Sequence, residues 1–291
     1  MLLDFVKIIF LMLQNATFVQ RSKMFNLRFL SLLVTISIIL SCSGDNMEDL
    51  ETNKNYFPLT INNSWDYTSV TLIDENSLNN EQSLTLTNKE MSNDTLFFDT
   101  TSGNNLNLTT TGILSSGRLF KKEGRLQLKV QFSELTSGLP AEITLPITAS
   151  AIPIYDKNAD LGVGLFSESG SFSQDLNDLN INVEFTLSSQ NTGSATIMEV
   201  NGIDYNDVLS SSITLNMKIT ATPDIFPIPI ILLKRQNVLT AKHYFANDTG
   251  MIKSKVITSF NFEDFSQLGI NLPDVDINTV QELESTNLVL P

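Results

Sequence analysis

Residues 125–132 alternate without a fault: Leu126, Leu128, Val130 and Phe132 fall on one side, Arg125, Gln127, Lys129 and Gln131 on the other. Ile181, Val183, Phe185 and Leu187 repeat the pattern against Asn182, Glu184, Thr186 and Ser188. Ile213, Leu215, Met217 and Ile219 do so against Thr214, Asn216, Lys218 and Thr220. A period of two cannot be a helix, whose faces recur every 3.6 residues or so. It gives each segment one dry and one wet face, as in an antiparallel sheet. Leu84 and Leu86 among Ser83, Thr85 and Thr87, and the short run Thr95–Phe98, add two more such segments. Helical spacing is confined to two short candidates, Phe262–Leu268 and Val275–Leu283. The expected fold is all-β: one large curved antiparallel sheet, half-barrel or sandwich-like, with few short helices. A hydrophobic content of 42% suffices to fill its core.

Punctuation between the strands supports this. Phe57, Leu59 and Ile61 alternate before Asn62-Asn63, and Trp65 and Tyr67 follow, which predicts a core-sealing hairpin. Asn247-Asp248-Thr249-Gly250 predicts a second turn, between a strand over Val238–Ala246 and a return strand over Met251–Phe262. Gly250 sits where such a turn asks for positive φ. Gln281–Leu290 reads as a last strand. Two apolar segments carry prolines: Leu139–Ile154 (Pro140, Pro146, Pro153) and Pro223–Leu233 (Pro223, Pro227, Pro229). Proline cannot donate to a ladder, so both are expected as edge strands or extended covers. They either pack over an open end of the sheet or line a surface for an apolar ligand or partner. On the second reading Ile147, Ile152, Ile154, Phe226, Ile228, Ile230 and Ile231 form that surface.

The amino end carries an address. Arg28 precedes a twelve-residue apolar stretch, Phe29–Leu40, then Ser41 and Cys42, the only cysteine. Twelve residues span about 18 Å as a helix, too short for a bilayer core of about 30 Å, and a charged, apolar, small-residue order is that of an export signal. Translation is expected from Met24, leaving residues 1–23, with their own apolar run Val6–Leu13, outside the protein. Residues 1–41 form the signal, 42–54 an acidic tether, and 55–291 a single antiparallel β domain. Residues 1–41 carry a net +3 (Lys7, Arg21, Lys23, Arg28 against Asp4), so their removal takes the formal charge from −14 to −17. Such a surface repels nucleic acid.

Ile39-Leu40-Ser41-Cys42 resembles a bacterial lipobox, although Leu40 is bulkier than the small residue usual there. That resemblance implies diacylglycerol on Cys42 and a membrane partner through an N-terminal lipid, since two or more chains hold a protein stably. Three further pieces resemble, in order, uncharacterised flavobacterial-type lipoproteins of the Bacteroidota. They are Tyr56-Phe57-Pro58-Leu59 with Trp65 and Tyr67, then Gly202–Val208, then Tyr244-Phe245-Ala246 with Gly250-Met251-Ile252-Lys253. The likeness implies an outer-membrane or cell-surface location and carries no activity. Asp94-Thr95-Leu96 and Asp99-Thr100-Thr101 resemble the O-glycosylation sequon of the same phylum and nominate Thr95 and Thr100.

Chemistry is otherwise sparse. One cysteine and one histidine, His243, exclude disulfide frameworks and multi-His or Cys metal sites. Asp274-Val275-Asp276-Ile277-Asn278 has calcium-ligand spacing, but Thr279 and Ser285 stand where an EF-hand needs glycine and glutamate. No Gly-x-Ser-x-Gly elbow accompanies His243, and Gly162-Val163-Gly164 does not continue as a phosphate loop. Acidic pairs such as Asp175/Asp178 and Glu263/Asp264 are too common to signal a glycosidase. No catalytic residue, cofactor or metal is expected. The expected function is a non-enzymatic binding module for a hydrophobic ligand or partner protein. The alternative is a structural or adhesive surface lipoprotein with a filled core; a carbohydrate-active hydrolase ranks last.

Overall fold

A computed structural model describes residues 54–73, 76–103, 109–131, 146–176, 179–223, 228–264 and 272–289. The leader, most of the tether, Cys42 and Phe226 lie outside the described residues. Residues 54–291 form a compact unit of their own. Among the described residues its strands are twelve: β1 (Ser64–Ile73), β2 (Asn76–Ser92), β3 (Thr95–Gly103), β4 (Gly117–Lys122), β5 (Arg125–Gln131), β6 (Thr148–Asp156), β7 (Gly164–Leu176), β8 (Leu179–Val200), β9 (Ile203–Pro223), β10 (Ile230–Ala246), β11 (Gly250–Phe260) and β12 (Val275–Asn287). They make one sheet in the order β6-β5-β4-β3-β2-β1-β12-β11-β10-β9-β8-β7, every described pair antiparallel. The expected all-β class and large curved antiparallel sheet are what the chain forms, as one half-barrel rather than two stacked sheets.

The sheet is not closed, yet it curls far enough for β6, at one end of the order, to pack on β8 and β9 near the other. Bulges at Asp66/Tyr67, Leu86/Asn88 and Asn191/Gly193 supply local bends. The alternating residues of the sequence supply the inner wall. Leu126, Leu128 and Val130 are buried, as are Ile181, Val183 and Leu187, and Ile213, Leu215, Met217 and Ile219.

Inside the curl sits the one helix among the described residues, α1 (Thr110–Ser115), with Ile113 and Leu114 in the core. The Thr109 hydroxyl caps it by accepting from Gly112 N–H at 3.1 Å. Its six residues are too few to show a periodicity. The two helices the sequence suggested differ: Val275–Leu283 lies within β12, and Phe262–Asp264 is not helical, with residues 265–268 outside the described set.

One end of the half-barrel is sealed by Tyr56, Phe57, Trp65, Tyr67 and Phe245. Phe57 stacks on Trp65 at 4.6 Å between ring centroids and meets Phe245 edge-on at 6.1 Å. The Trp65 indole N–H donates to Thr249 O at 2.6 Å, and the Tyr67 hydroxyl to Met251 O at 3.0 Å. The Tyr56 hydroxyl donates to Asp207 Oδ1 at 3.0 Å. Trp65 and Tyr67 are wholly buried, so the core-sealing role holds. The hairpin does not: residues 57–61 form no strand, because Asn62 N–H and Asn63 O are already paired with Leu86 of β2. The turn before Gly250 forms as expected, with φ at +113°.

The prolines obey their rule in two ways. β6, carrying Pro153, is an edge strand. β10 lies between β9 and β11, but β11 pairs with it only from Leu239 on, so Ile230–Leu233 has a ladder on the β9 side alone, with one isolated bridge from Leu233 to Phe262 on the other. Pro223 ends β9 and Pro229 immediately precedes β10. A strand terminus spares the ladder as well as an edge does.

Candidate functional site

The seven residues proposed as an apolar ligand surface do not share one environment. Ile147, Ile152 and Ile154 are buried in the core. Ile230 is half-buried, while Ile228 and Ile231 are exposed. A recess of about 460 Å³ lies elsewhere, against β1 and β2, lined by polar groups that include Asp66, Glu81 and Glu284.

The interior has a different feature. Following residues directly opposite one another across the sheet, Ser69 of β1 faces Gln281 of β12, Gln281 faces Ser254 of β11, and Ser254 faces His243 of β10. His243 faces Ser211 of β9, and Ser211 faces Asn191 of β8. Opposed residues share a face, so these six side chains form one row across six strands of the inner wall. Strands about 4.8 Å apart give it a length of about 24 Å. Each member is between 0% and 1% exposed. A polar belt thus crosses a mainly apolar wall, with Leu84, Leu86 and Phe245 toward the sealed end and Val256, Leu239 and Leu215 toward the other.

Part of the belt is satisfied by protein. Gln281 Oε1 accepts from the Thr110 N–H at the start of α1 (2.8 Å) and from the Ser254 hydroxyl (3.2 Å). Gln281 Nε2 donates to Gln82 Oε1 (2.6 Å) and Thr111 Oγ1 (3.0 Å), and the Thr111 hydroxyl donates to Gln82 (2.7 Å). The belt here orients the helix. At its far end Asn191 closes the curl: Nδ2 donates to Asp156 O at 2.6 Å, and Asp156 N–H donates back to Oδ1 at 3.2 Å.

Between these two fastenings, beyond Ser254, the belt has no partner: Ser211 Oγ and both ring nitrogens of His243 make no hydrogen bond. Nor does Ser189 Oγ, two residues from Asn191 on the same face, or Ser69 Oγ, at the far side of Gln281. Native interiors leave few buried polar atoms unpaired, each costing about 1–3 kcal/mol. Burial pushes His243 down to about 4 from an ordinary 6.5, so it is a neutral imidazole with one donor and one acceptor. The buried polar residues of the inner wall are uncharged; Asp156, at the rim, is paired with Arg125 at 2.6 Å. The nearest approach to enzyme chemistry is the adjacency of Ser211 and His243, but they share no hydrogen bond.

The other nominated residues are placed as follows. Thr95 starts β3 half-exposed. Thr100 is buried and its hydroxyl donates to Leu114 O at 2.7 Å, which leaves no room for a glycan on the folded domain and corrects that nomination. The belt went unnoticed in the sequence because its members lie up to 212 positions apart, each a neutral polar residue in an alternating run.

No family model matches the chain, and no curated protein matches it. Solved structures similar to it include a lipoprotein so named from Parabacteroides distasonis, at 10% identity and a TM-score of 0.38 over 79% of this chain and 99% of that one. They also include an exported protein with a YmcC-like fold from Bacteroides fragilis (8%, TM-score 0.36, 81% and 100%). A LolA-superfamily protein from Nitrosomonas europaea matches at 10% and a TM-score of 0.22, over 83% and 93%. Likeness at this level transfers no function to this chain.

Proposed function

We propose that this is a lipid-anchored envelope protein, tethered through Cys42 at the outer membrane or cell surface, whose half-barrel binds a hydrophobic ligand without catalysing a reaction on it. The observation that carries the binding reading is the unpartnered middle of the interior belt, Ser211 and His243 above all. A purely structural barrel gains nothing from polar groups held dry and unpaired, since apolar residues of the same shape would be neutral or better. A bound molecule supplies the missing partners. The compact unit begins at Lys54, so a leaderless chain from Ser43 is a fair test object. Mass spectrometry of organic extracts from that protein is expected to find a stoichiometric hydrophobic molecule. A purified protein that is empty, and that takes up no apolar probe, sinks the proposal in favour of a structural component with a filled core.

A further inference from the structure

We infer that the Ser211–His243 stretch of the belt is the head-group site for an uncharged amphiphile, one bearing a hydroxyl or ester rather than a carboxylate or phosphate; this rests on the binding reading above. Three observations converge on it. First, the gap is local. The belt is fastened to α1 through Gln281 and to β6 through Asn191, and between those fastenings Ser211 and His243, side by side, are both orphaned. Ser211 and His243 stand directly opposite on neighbouring strands, close enough for one small polar group to touch both.

Second, the chemistry is matched to a neutral group. Ser211 offers a hydroxyl and His243 a neutral imidazole, so each can give one hydrogen bond and accept at least one. A ligand hydroxyl satisfies them by donating to one and accepting from the other. An ester accepts from both donors, the Ser211 hydroxyl and the imidazole N–H. A carboxylate or phosphate could accept from the same two donors, but it would bring a full charge into a wall whose buried polar residues are Asn, Gln, Ser, Thr and an unprotonated His, with no cation to compensate.

Third, the surroundings suit an apolar body. Phe245 lies 6.0 Å from the His243 ring, and Leu239 and Ala241 precede His243 on the same face of β10. On the same face at the β1–β2 turn, Ile73 and Leu78 are 37% and 47% exposed.

The test uses radiolabelled 1-hexadecanol and palmitate at pH 7 with the leaderless chain and the variants Ser211→Ala and His243→Leu. The alcohol is expected to bind at least about tenfold more tightly than palmitate, and each variant to weaken the alcohol by about tenfold. Thermal melts of both variants are expected to stay at or above the wild-type midpoint, which separates a binding defect from misfolding. Equal affinity for alcohol and palmitate, or an alcohol affinity that neither variant changes, overturns the head-group assignment while leaving a hydrophobic binding module standing. Absence of binding by either probe, with only ordered water against Ser211 and His243 in a high-resolution structure, overturns both.

Discussion

Gly250→Ala should collapse the sealed end of the half-barrel, and the loss can be worked from geometry. Gly250 has φ +113°, in the half of conformational space that L side chains avoid, and residues held there cost about 1–3 kcal/mol. A Cβ at this position would stand 2.5 Å from Trp65 Nε1 and 3.0 Å from Cε2, so the indole has to move. Moving it breaks the 2.6 Å bond to Thr249 O, and a buried, unpaired N–H costs about 1–3 kcal/mol. The Phe57 stack contributes about 0.5–1.5 kcal/mol more. Together these give a loss of about 2.5–7.5 kcal/mol, large against the marginal stability of a domain. Urea unfolding followed by far-UV circular dichroism measures it. Trp65 is the only tryptophan, so its emission reports the displacement directly as a red shift. The steric part is isolated by Trp65→Phe, which removes the atoms that clash. In the double variant the two losses should sum to about 1–2 kcal/mol more than is observed. A Gly250→Ala loss below about 1 kcal/mol, or strict additivity, refutes the claim that glycine is there to admit the indole.

Four further outcomes are expected. His243 has a lowered pKa in the folded protein, so the unfolded chain binds the extra proton: stability is full above about pH 7 and falls by about 3 kcal/mol as pH drops from 6.5 to 4. Urea midpoints of wild type minus those of His243→Leu over that range check it, and a flat difference contradicts the buried neutral imidazole. Gln281→Leu strips the α1 amide, Ser254 and Gln82 of their shared partner and should cost about 2–4 kcal/mol in the same assay. Cys42→Ser should move the protein from the membrane fraction to the soluble one, and continued sedimentation with membranes contradicts lipidation there. Peptide mapping of protein made in its own cell type should place any O-glycan on Thr95 and none on Thr100, whose hydroxyl is engaged with Leu114.

The sheet was legible because alternation is a local signal. Arg125–Gln131, Asn180–Ser188 and Ser212–Thr220 each declare their inner face within seven to nine residues, and the structure largely buries those faces. The sealed end was legible as a set of words, Tyr56-Phe57-Pro58, Trp65, Tyr244-Phe245 and Gly250, without their meeting being legible at all. That meeting depends on β12 lying beside β11 and, above all, on β1 lying beside β12, a pairing between segments about 200 residues apart. The hairpin expected at Asn62-Asn63 failed for the same reason. Its local signal is genuine, but a long-range partner, Leu86, takes the hydrogen bonds the hairpin would have used. α1 left no trace because six residues make under two turns, and a helix that short is stabilised by what surrounds it.

The belt was illegible for a deeper reason, and that reason bears on what the domain does. A serine or histidine inside an alternating run looks like a tolerated exception, and at any one position the cost is small. Register turns six such exceptions into a row. Where the row contacts α1 and β6 the cost is recovered, because Gln281 and Asn191 trade hydrogen bonds that specify where the helix and the sheet edge dock. Between them nothing recovers it. Leu or Val at Ser211 and His243 would continue the wall that Ile213, Leu215 and Leu239 form nearby, and would remove a penalty of about 1–3 kcal/mol for each orphaned group. A domain keeps such a penalty in its free state when a bound state removes it, and the same argument makes His243→Leu the variant that should gain stability and lose ligand together.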